Sequence, residues 1–506
     1  MEQTRSNKII GTILFIFLIV QPIFDIKYFY NSISTLIRVI IIFGLFSYYF
    51  LTSKNKRKYW LLLYPCAIGV YFVFHHINAL NFTSLVPGNF DYSMLKEGLY
   101  FVKMISPFLL IYSLYKAQFS MELIIKIMTI LCLIISLTVI ITNLIGISYG
   151  CYSDIRIKAN FFEWFNPNSE YNYKDLASKG LFEFGNQISA ILIMFLPFMI
   201  YNSLMNKKIL SWSVLICNIW GLILLSTRVA VIGTIIVFVY TFSVFIIISL
   251  IKKEKVKIKP YIPFCVILIC YIVLLPINPM FNRLERNSSI IETFNEEKST
   301  ISNNVNKENL VTENTISNEN ITIQEVDSNS NKIEPDDMKK FIQETYKAKR
   351  IHKAFLLTHY PYEYDTEFWY DFLQKDISLV MDNRFVERSI VERVVEINNS
   401  DLDIWFGITN TRLQNIFNIE KDFVVQYYAL GIIGLILVFV PYFILLAIFI
   451  YRGLHSKLKN LTIINSLAGI TIIFLFGISY MSGNLLNSLS FTIYFTLCFY
   501  LLLDKH

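Results

Sequence analysis

The stretch VAVIGTIIVFVYTFSVFIIISL, residues 229–250, runs for 22 residues without a charge. At a rise of about 1.5 Å per residue, some 20 apolar residues match a hydrocarbon core about 30 Å thick. The stretch reads as a membrane-spanning helix, and residues 432–451 have the same character. Working outward from these two, spans are predicted near 9–26, 33–51, 60–78, 97–115, 122–148, 181–203, 210–226, 229–250, 261–276, 423–451, 461–480 and 485–503. The composition agrees: 55% of residues are hydrophobic, 16% are charged and the mean hydropathy is +0.50. A length of 506 residues would otherwise suggest several soluble domains. The expected fold is an all-α polytopic membrane protein of about twelve transmembrane helices with one large extracytoplasmic loop. No small-residue cleavage site follows the first apolar helix, so it reads as a retained span.

Charge orients the spans. The connections at 53–58, 206–208, 252–259 and 452–459 are rich in Lys and Arg and alternate with poorer ones. The positive-inside rule then predicts both termini in the cytoplasm, in a bacterial inner or plasma membrane. Residues 277–421 hold 25 of the 38 Asp and Glu but only 17 of the 45 Lys and Arg. The net charge of +7 thus combines an acidic outer loop with a basic cytoplasmic face. No nucleic-acid partner is needed to explain it. The expected division is transmembrane helices 1–276, a flexible Asn/Ser/Glu-rich segment 277–334, a folded outer part 335–422, and the last transmembrane helices 423–506. Residues 287–333 contain a single aromatic, Phe294, and too little apolar surface to order a core. The folded part has Trp369, Trp405 and many Tyr and Phe. It has a predicted helix opening at Pro335, with Met338, Phe341, Ile342 and Tyr346 on one face, and a second helix over 380–395.

A charge at membrane depth costs on the order of 2.5–3.5 kcal/mol, so intramembrane ionisable residues mark the first candidates for chemistry. Asp25, Arg38, Lys103 and Arg228 all fall toward the outer side. Three cations in one leaflet suggest an anionic ligand. Arg38 also has a simpler role open to it, pairing with Asp25 or snorkelling to a lipid phosphate. Arg228 lies in an apolar hairpin that needs no charge, and its planar fork suits phosphate. No cysteine spacing points to a disulfide framework, and no His, Asp or Cys spacing points to a metal. No nucleotide-binding loop is present, so neither metal nor cofactor is expected.

Several motifs resemble those of the O-antigen ligase and O-antigen polymerase superfamily, in its Gram-positive branch. Ser226-Thr227-Arg228-Val229-Ala230 resembles the family's hydroxyl–basic–small motif. Gly180-Leu181-Phe182 followed by Asn186 and Pro197 resembles its "GLF…N" helix. Gln21-Pro22 with Asp25 resembles its first helix, and the segment 359–369 resembles its loop motif. Glu420-Lys421-Asp422 resembles its return to the membrane. The resemblance covers most of the chain apart from the Asn-rich insert. It implies a C-type glycosyltransferase architecture, and a donor glycan carried on a polyprenyl diphosphate. The acceptor would be a glycan or lipid outside the membrane, in the company of polysaccharide-assembly machinery. It also implies a catalytic Arg228. Gram-negative ligases carry a loop His before the returning helix; here Glu420 and Asp422 stand in that neighbourhood as candidate bases. Arg38, Lys103, Arg384, Arg412, His359 and Asp365 are the candidate substrate-binding residues. Arg388, four residues before Glu392, and Arg393 read instead as surface pairs. Ligase and polymerase remain open alternatives at this stage. So do a flippase for lipid-linked sugars, which would want charges at several depths, and a non-catalytic scaffold.

Overall fold

The computed structural model describes residues 5–153, 155–253, 259–283, 334–417, 419–456, 458 and 460–503. The expected flexible segment 277–334 therefore lies almost wholly outside the described residues. The described residues are mainly helical, as their apolar periodicity predicts, and form no strand beyond isolated bridges. The first nine apolar helices are α1 (Arg5–Phe24), α2 (Ser32–Thr52), α3 (Leu63–Leu80), α4 (Met94–Ala117), α5 (Met121–Leu144), α6 (Gly185–Asn206), α7 (Ile209–Leu225), α8 (Arg228–Ile251) and α9 (Ile262–Leu274). Among the described residues that follow outside the bundle are α10 (Pro335–Ala348), α11 (Thr366–Gln374), α12 (Asn383–Asn398), α13 (Leu402–Phe406) and α14 (Asn410–Ile416), with a single helical turn at Ile377–Val380. The chain returns in α15 (Asp422–His455), α16 (Ile463–Met481) and α17 (Leu489–Leu503).

Among the described residues, ten segments are long and apolar enough to cross a membrane, with α3 and α9 counted together with their flanking turns as Lys56–Leu80 and Lys259–Arg283; α7 and α17, at 17 and 15 residues, are shorter apolar helices at the remaining predicted positions. Helix α6 is the axis of the bundle. It is apolar all round and buried along most of its length, as a central helix must be. It packs against α5, α7, α8, α16 and α17, while α4 closes on α2 and α17. Exposed Ile, Leu, Val and Phe cover the outward faces of the peripheral helices, as a hydrocarbon solvent allows.

The predicted span 485–503 begins four residues late, at Leu489, for a physical reason. Residues 482–488 form a turn held from several sides by side chains. Asp422 accepts from the N–H groups of Leu485 (2.9 Å) and Leu486 (3.0 Å). Gln187 donates to the Asn484 carbonyl (3.0 Å) and accepts from Ser488 (3.1 Å). Irregular backbone is tolerated within a membrane protein when protein groups satisfy it in this way. Gly483 sits at φ +65°, where a Cβ would stand 0.9 Å from the Glu420 carbonyl oxygen. Gly483→Ala is therefore expected to abolish correctly folded protein. The check is yield and monodispersity on size exclusion in detergent, and a normal profile would show that the turn can repack.

Helices α10–α14 make a small cap with its own core of Ile342, Trp369, Phe372, Val386, Ile390 and Val394. The cap is locked to the kink of α15 at Gly431 (φ +62°). There the residues around Gly407 cross so closely that Ile408 and Thr409 donate to the Tyr428 and Ala429 carbonyls at 2.8 and 3.0 Å. Beneath the crossing, fully buried Glu97 of α4 accepts from His75 (3.1 Å), from the backbone of Asn410 (3.0 Å) and Thr411 (2.9 Å), and from the Thr411 hydroxyl (2.7 Å). One carboxylate thus caps α14 and ties the cap to α3 and α4.

Candidate functional site

The turns at one end of the bundle meet on the extended segment 177–183. Ser178 donates to the Leu224 carbonyl (2.9 Å), Lys179 to Tyr149 (2.9 Å) and Tyr149 to Gly180 (2.8 Å). Lys27 donates to Leu181 (2.9 Å) and Glu183 to Asp25 (3.1 Å). Gly180 makes the crossing possible: at φ +69°, a Cβ there would lie 3.2 Å from the Val139 backbone. The segment Gly180-Leu181-Phe182 therefore begins no helix, although the predicted span started at 181; α6 starts at Gly185 because 177–183 is committed to this pairing. The exits of α1, α5 and α7 are gathered at one place, and their polar residues with them.

Arg228 stands at this end. Helix α7 closes on Ser226 in the left-handed conformation, and the Thr227 hydroxyl caps α8 by accepting from Ala230 N (3.1 Å). The same hydroxyl shares a 2.8 Å hydrogen bond with Ser189 of α6. The pair fixes where Arg228, the first residue of a 24-residue helix, begins. Its side chain is exposed and makes no ion pair or side-chain hydrogen bond among the described residues. The positive end of α8 adds to its field. Arg283, absent from the sequence-based candidates, lies nearby. Its guanidinium sits 4.6 Å from the Tyr152 ring centroid and 5.7 Å from that of Tyr173. Burial pushes the Tyr152 phenol up to about 12, against the pull of Arg283 and Arg228. Both cations therefore face one side chain, which itself donates to the Ser226 carbonyl at 2.8 Å. Lys27 adds a further cation 5.0 Å from the Tyr149 ring, whose hydroxyl meets that of Tyr28 at 2.7 Å. Arg283 escaped the sequence reading because it lies past the apolar run 261–276, outside the membrane depth at which a charge is costly enough to mark a candidate.

Arg38 and Asp25 form a buried ion pair. Arg38 is 1% exposed and also donates to Ser490 (2.5 Å), while Tyr494 donates to Asp25 (3.1 Å). The structure thus places Arg38 in the simpler role the sequence left open, joining α1, α2 and α17. Lys103 is half-buried on α4, its ammonium 5.6 Å from the Tyr100 ring, with no ion pair among the described residues. The Tyr100 hydroxyl donates to Asn487 (3.1 Å), to which Gln426 also donates. Tyr100, the ring beside Lys103, thus reaches the 482–488 turn.

The two candidate bases differ sharply. Asp422 is fully buried, and its oxygens accept from Ser479 (2.8 Å), Leu485 and Leu486, which makes it the anchor of the turn. Glu420 is 41% exposed and receives Arg384 through Nε (2.9 Å) and Nη2 (2.6 Å), while Arg384 Nη1 donates to the Met481 carbonyl (3.0 Å). Two residues proposed for separate roles, Arg384 and Glu420, are one ion pair, with both guanidinium bonds ending on Oε2. Behind them lies Glu387 of α12, which is 3% exposed and which sequence reasoning missed. A signal existed: it stands among Val386, Ile390, Val391 and Val394, where an acid breaks the apolar stripe.

The other cap candidates lie apart from this pair. Asp365 is buried as the N-cap of α11 and binds Tyr360 (2.7 Å) and Arg393 (2.8 Å). Arg393 also pairs with Glu396, and Arg388 pairs with Glu392 at 2.7 Å. The His359 ring packs against Phe417, centroids 4.7 Å apart, and burial lowers its pKa. Arg412 is 4% exposed, stacked 4.2 Å from Phe82, and donates to the Ala79 carbonyl at 2.7 Å.

The fold and this polar end define a multi-pass α-helical membrane protein with Lys27, Arg228 and Arg283 at the end where the exits of α1, α5 and α7 meet. The chain matches the sequence model of the O-antigen ligase like membrane proteins over residues 7–505. It belongs to that family, a family of polysaccharide assembly. No curated protein and no solved structure matches it.

Proposed function

We propose that the protein is a membrane glycosyltransferase of C-type architecture. It transfers or polymerises surface polysaccharide from a glycan on a polyprenyl diphosphate, at the outer face of a bacterial cell membrane, with both termini in the cytoplasm. The observation that carries this reading is Arg228, an exposed guanidinium without an ion pair among the described residues, at the N-terminus of a long helix. A diphosphate at headgroup level is the anion such a position favours. Arg228 stabilises the charge that grows on the departing diphosphate. Arg283 and Lys103 border the same end and extend the positive field. Glu420, oriented by Arg384, takes the proton of the acceptor hydroxyl. Asp422 fixes the turn on which the site rests. Arg38 contributes as part of the frame through Asp25. Neither metal nor cofactor enters this scheme.

The test uses purified full-length protein in vesicles with lipid-linked repeat units extracted from the source cells. Release of polyprenyl diphosphate with a lengthening glycan ladder identifies a polymerase. Release only on addition of a separate acceptor identifies a ligase. No release under either condition from folded protein removes the transferase reading and favours a flippase or scaffold.

A further inference from the structure

Glu387 is a buried acid of the cap that lies beside the candidate base Glu420. It is 3% exposed, and its Oε2 has no hydrogen-bond partner among the described residues. Buried polar atoms are ordinarily paired, so an orphaned carboxyl oxygen calls for a reason. The charged groups that face it are Glu420, from the segment entering α15, and Arg384 and Asp382, from the start of its own helix. The Glu420 backbone N–H is turned toward its carboxyl group. Arg384 makes no hydrogen bond to it among the described residues: the guanidinium donates to Glu420 through Nε and Nη2 and to the Met481 carbonyl through Nη1.

We propose that Glu387 and Glu420 form an unequal carboxyl pair in which buried Glu387 holds a proton and Glu420, gripped by Arg384, is the single carboxylate presented to the acceptor. This rests on the transferase reading above and adds to it a positioning residue. In the step itself the acceptor O–H bond breaks and its proton passes to Glu420. The acceptor oxygen bonds to the anomeric carbon. The bond from that carbon to the diphosphate oxygen breaks, and its electron pair stays on the diphosphate. Glu387 never touches the sugar. By staying neutral it leaves Arg384 to Glu420 alone. Two acids whose surroundings push them apart in this way take separate roles.

Burial and the Glu420 charge raise the Glu387 pKa from 4.5 to about 8. Between those values the folded protein holds a proton that the unfolded chain releases, so stability falls as pH rises through that window and levels off above it. Above about pH 8, two charges compete for one guanidinium and the grip on Glu420 loosens.

The experiment compares full-length wild type with Glu387→Gln, which matches the protonated carboxyl in size and charge, in vesicles with the extracted lipid-linked donor. Wild-type release is expected to fall about tenfold per unit above about pH 8. In Glu387→Gln, the ratio of release at about pH 9 to that at about pH 7 is expected to rise about tenfold over wild type. Infrared difference spectra supply a readout independent of turnover. A protonated-carboxyl carbonyl band should be present in wild type at neutral pH, fade on alkalinisation and be missing from Glu387→Gln. Absence of that band overturns the proton-holding role whatever the activity. An identical alkaline limb in both proteins, with the band present, overturns the positioning role. A wild type that shows the band but releases no polyprenyl diphosphate refutes the transferase reading, and the positioning role of Glu387 with it, while its protonated state stands.

Discussion

Arg228→Ala is expected to yield a folded protein that releases polyprenyl diphosphate about 10²–10³-fold more slowly, the usual consequence of removing one preorganised charge donor. The two halves of that statement have separate causes. Folding survives because the side chain is exposed and makes no ion pair among the described residues. The Thr227 and Ser189 hydroxyls, not Arg228, hold the helix start. Surface changes of this kind cost within about 0.5 kcal/mol. On the proposed reading, turnover suffers because the guanidinium and the positive end of α8 stabilise the same developing charge. Arg228→Lys should recover part of the rate, since it restores charge without the bidentate fork. The measurement is release of polyprenyl diphosphate alongside size exclusion of each variant. An unchanged rate in Arg228→Ala would remove the assignment of this residue, and a double change with Arg283→Ala would then show whether the second arginine carries it.

Arg38→Ala should behave in the opposite way, failing to fold rather than failing to turn over. The pair with Asp25 is buried, and removing one partner leaves an uncompensated charge among α1, α2 and α17. Breaking a buried pair by deleting one member costs on the order of 3–5 kcal/mol. That is comparable to the whole stability of many domains. Thermal unfolding in detergent, read by tryptophan fluorescence, should show a large fall or no transition at all. Replacing both residues together, Asp25→Leu with Arg38→Met, should restore much of the loss, because no charge then lies buried. A stable Arg38→Ala protein that has lost only turnover would show that this guanidinium serves the donor after all.

The site was legible in parts that depend on local sequence. The Thr227 cap and the apolar run behind it mark Arg228, since a cation needs a reason to stand at the start of an otherwise apolar span. The Arg388–Glu392 pair followed from helical spacing, four residues apart. Other assignments needed contacts between distant segments. Arg384 meets Glu420 across 36 residues, and Arg38 reaches Ser490 across 452. Asp422 and Glu420 look alike in sequence, two residues apart, yet one is fully buried under backbone donors and the other half-open to Arg384. Glu387 stood in plain view within an apolar stripe, but only the approach of Glu420 makes it a candidate for holding a proton.

The chain by itself determined the number and place of its apolar helices. Membrane thickness sets a length that can be counted along the sequence, and charge is excluded from it residue by residue. It also determined its family, through short motifs kept in order from Gln21 to Asp422. Tertiary structure decided which charges are frame and which are left to act. It buried Arg38 against Asp25, clamped Arg384 on Glu420, and left Arg228 in the open. The physical reason is that a charge at low dielectric is defined by its nearest partner, and here that partner comes from another part of the chain.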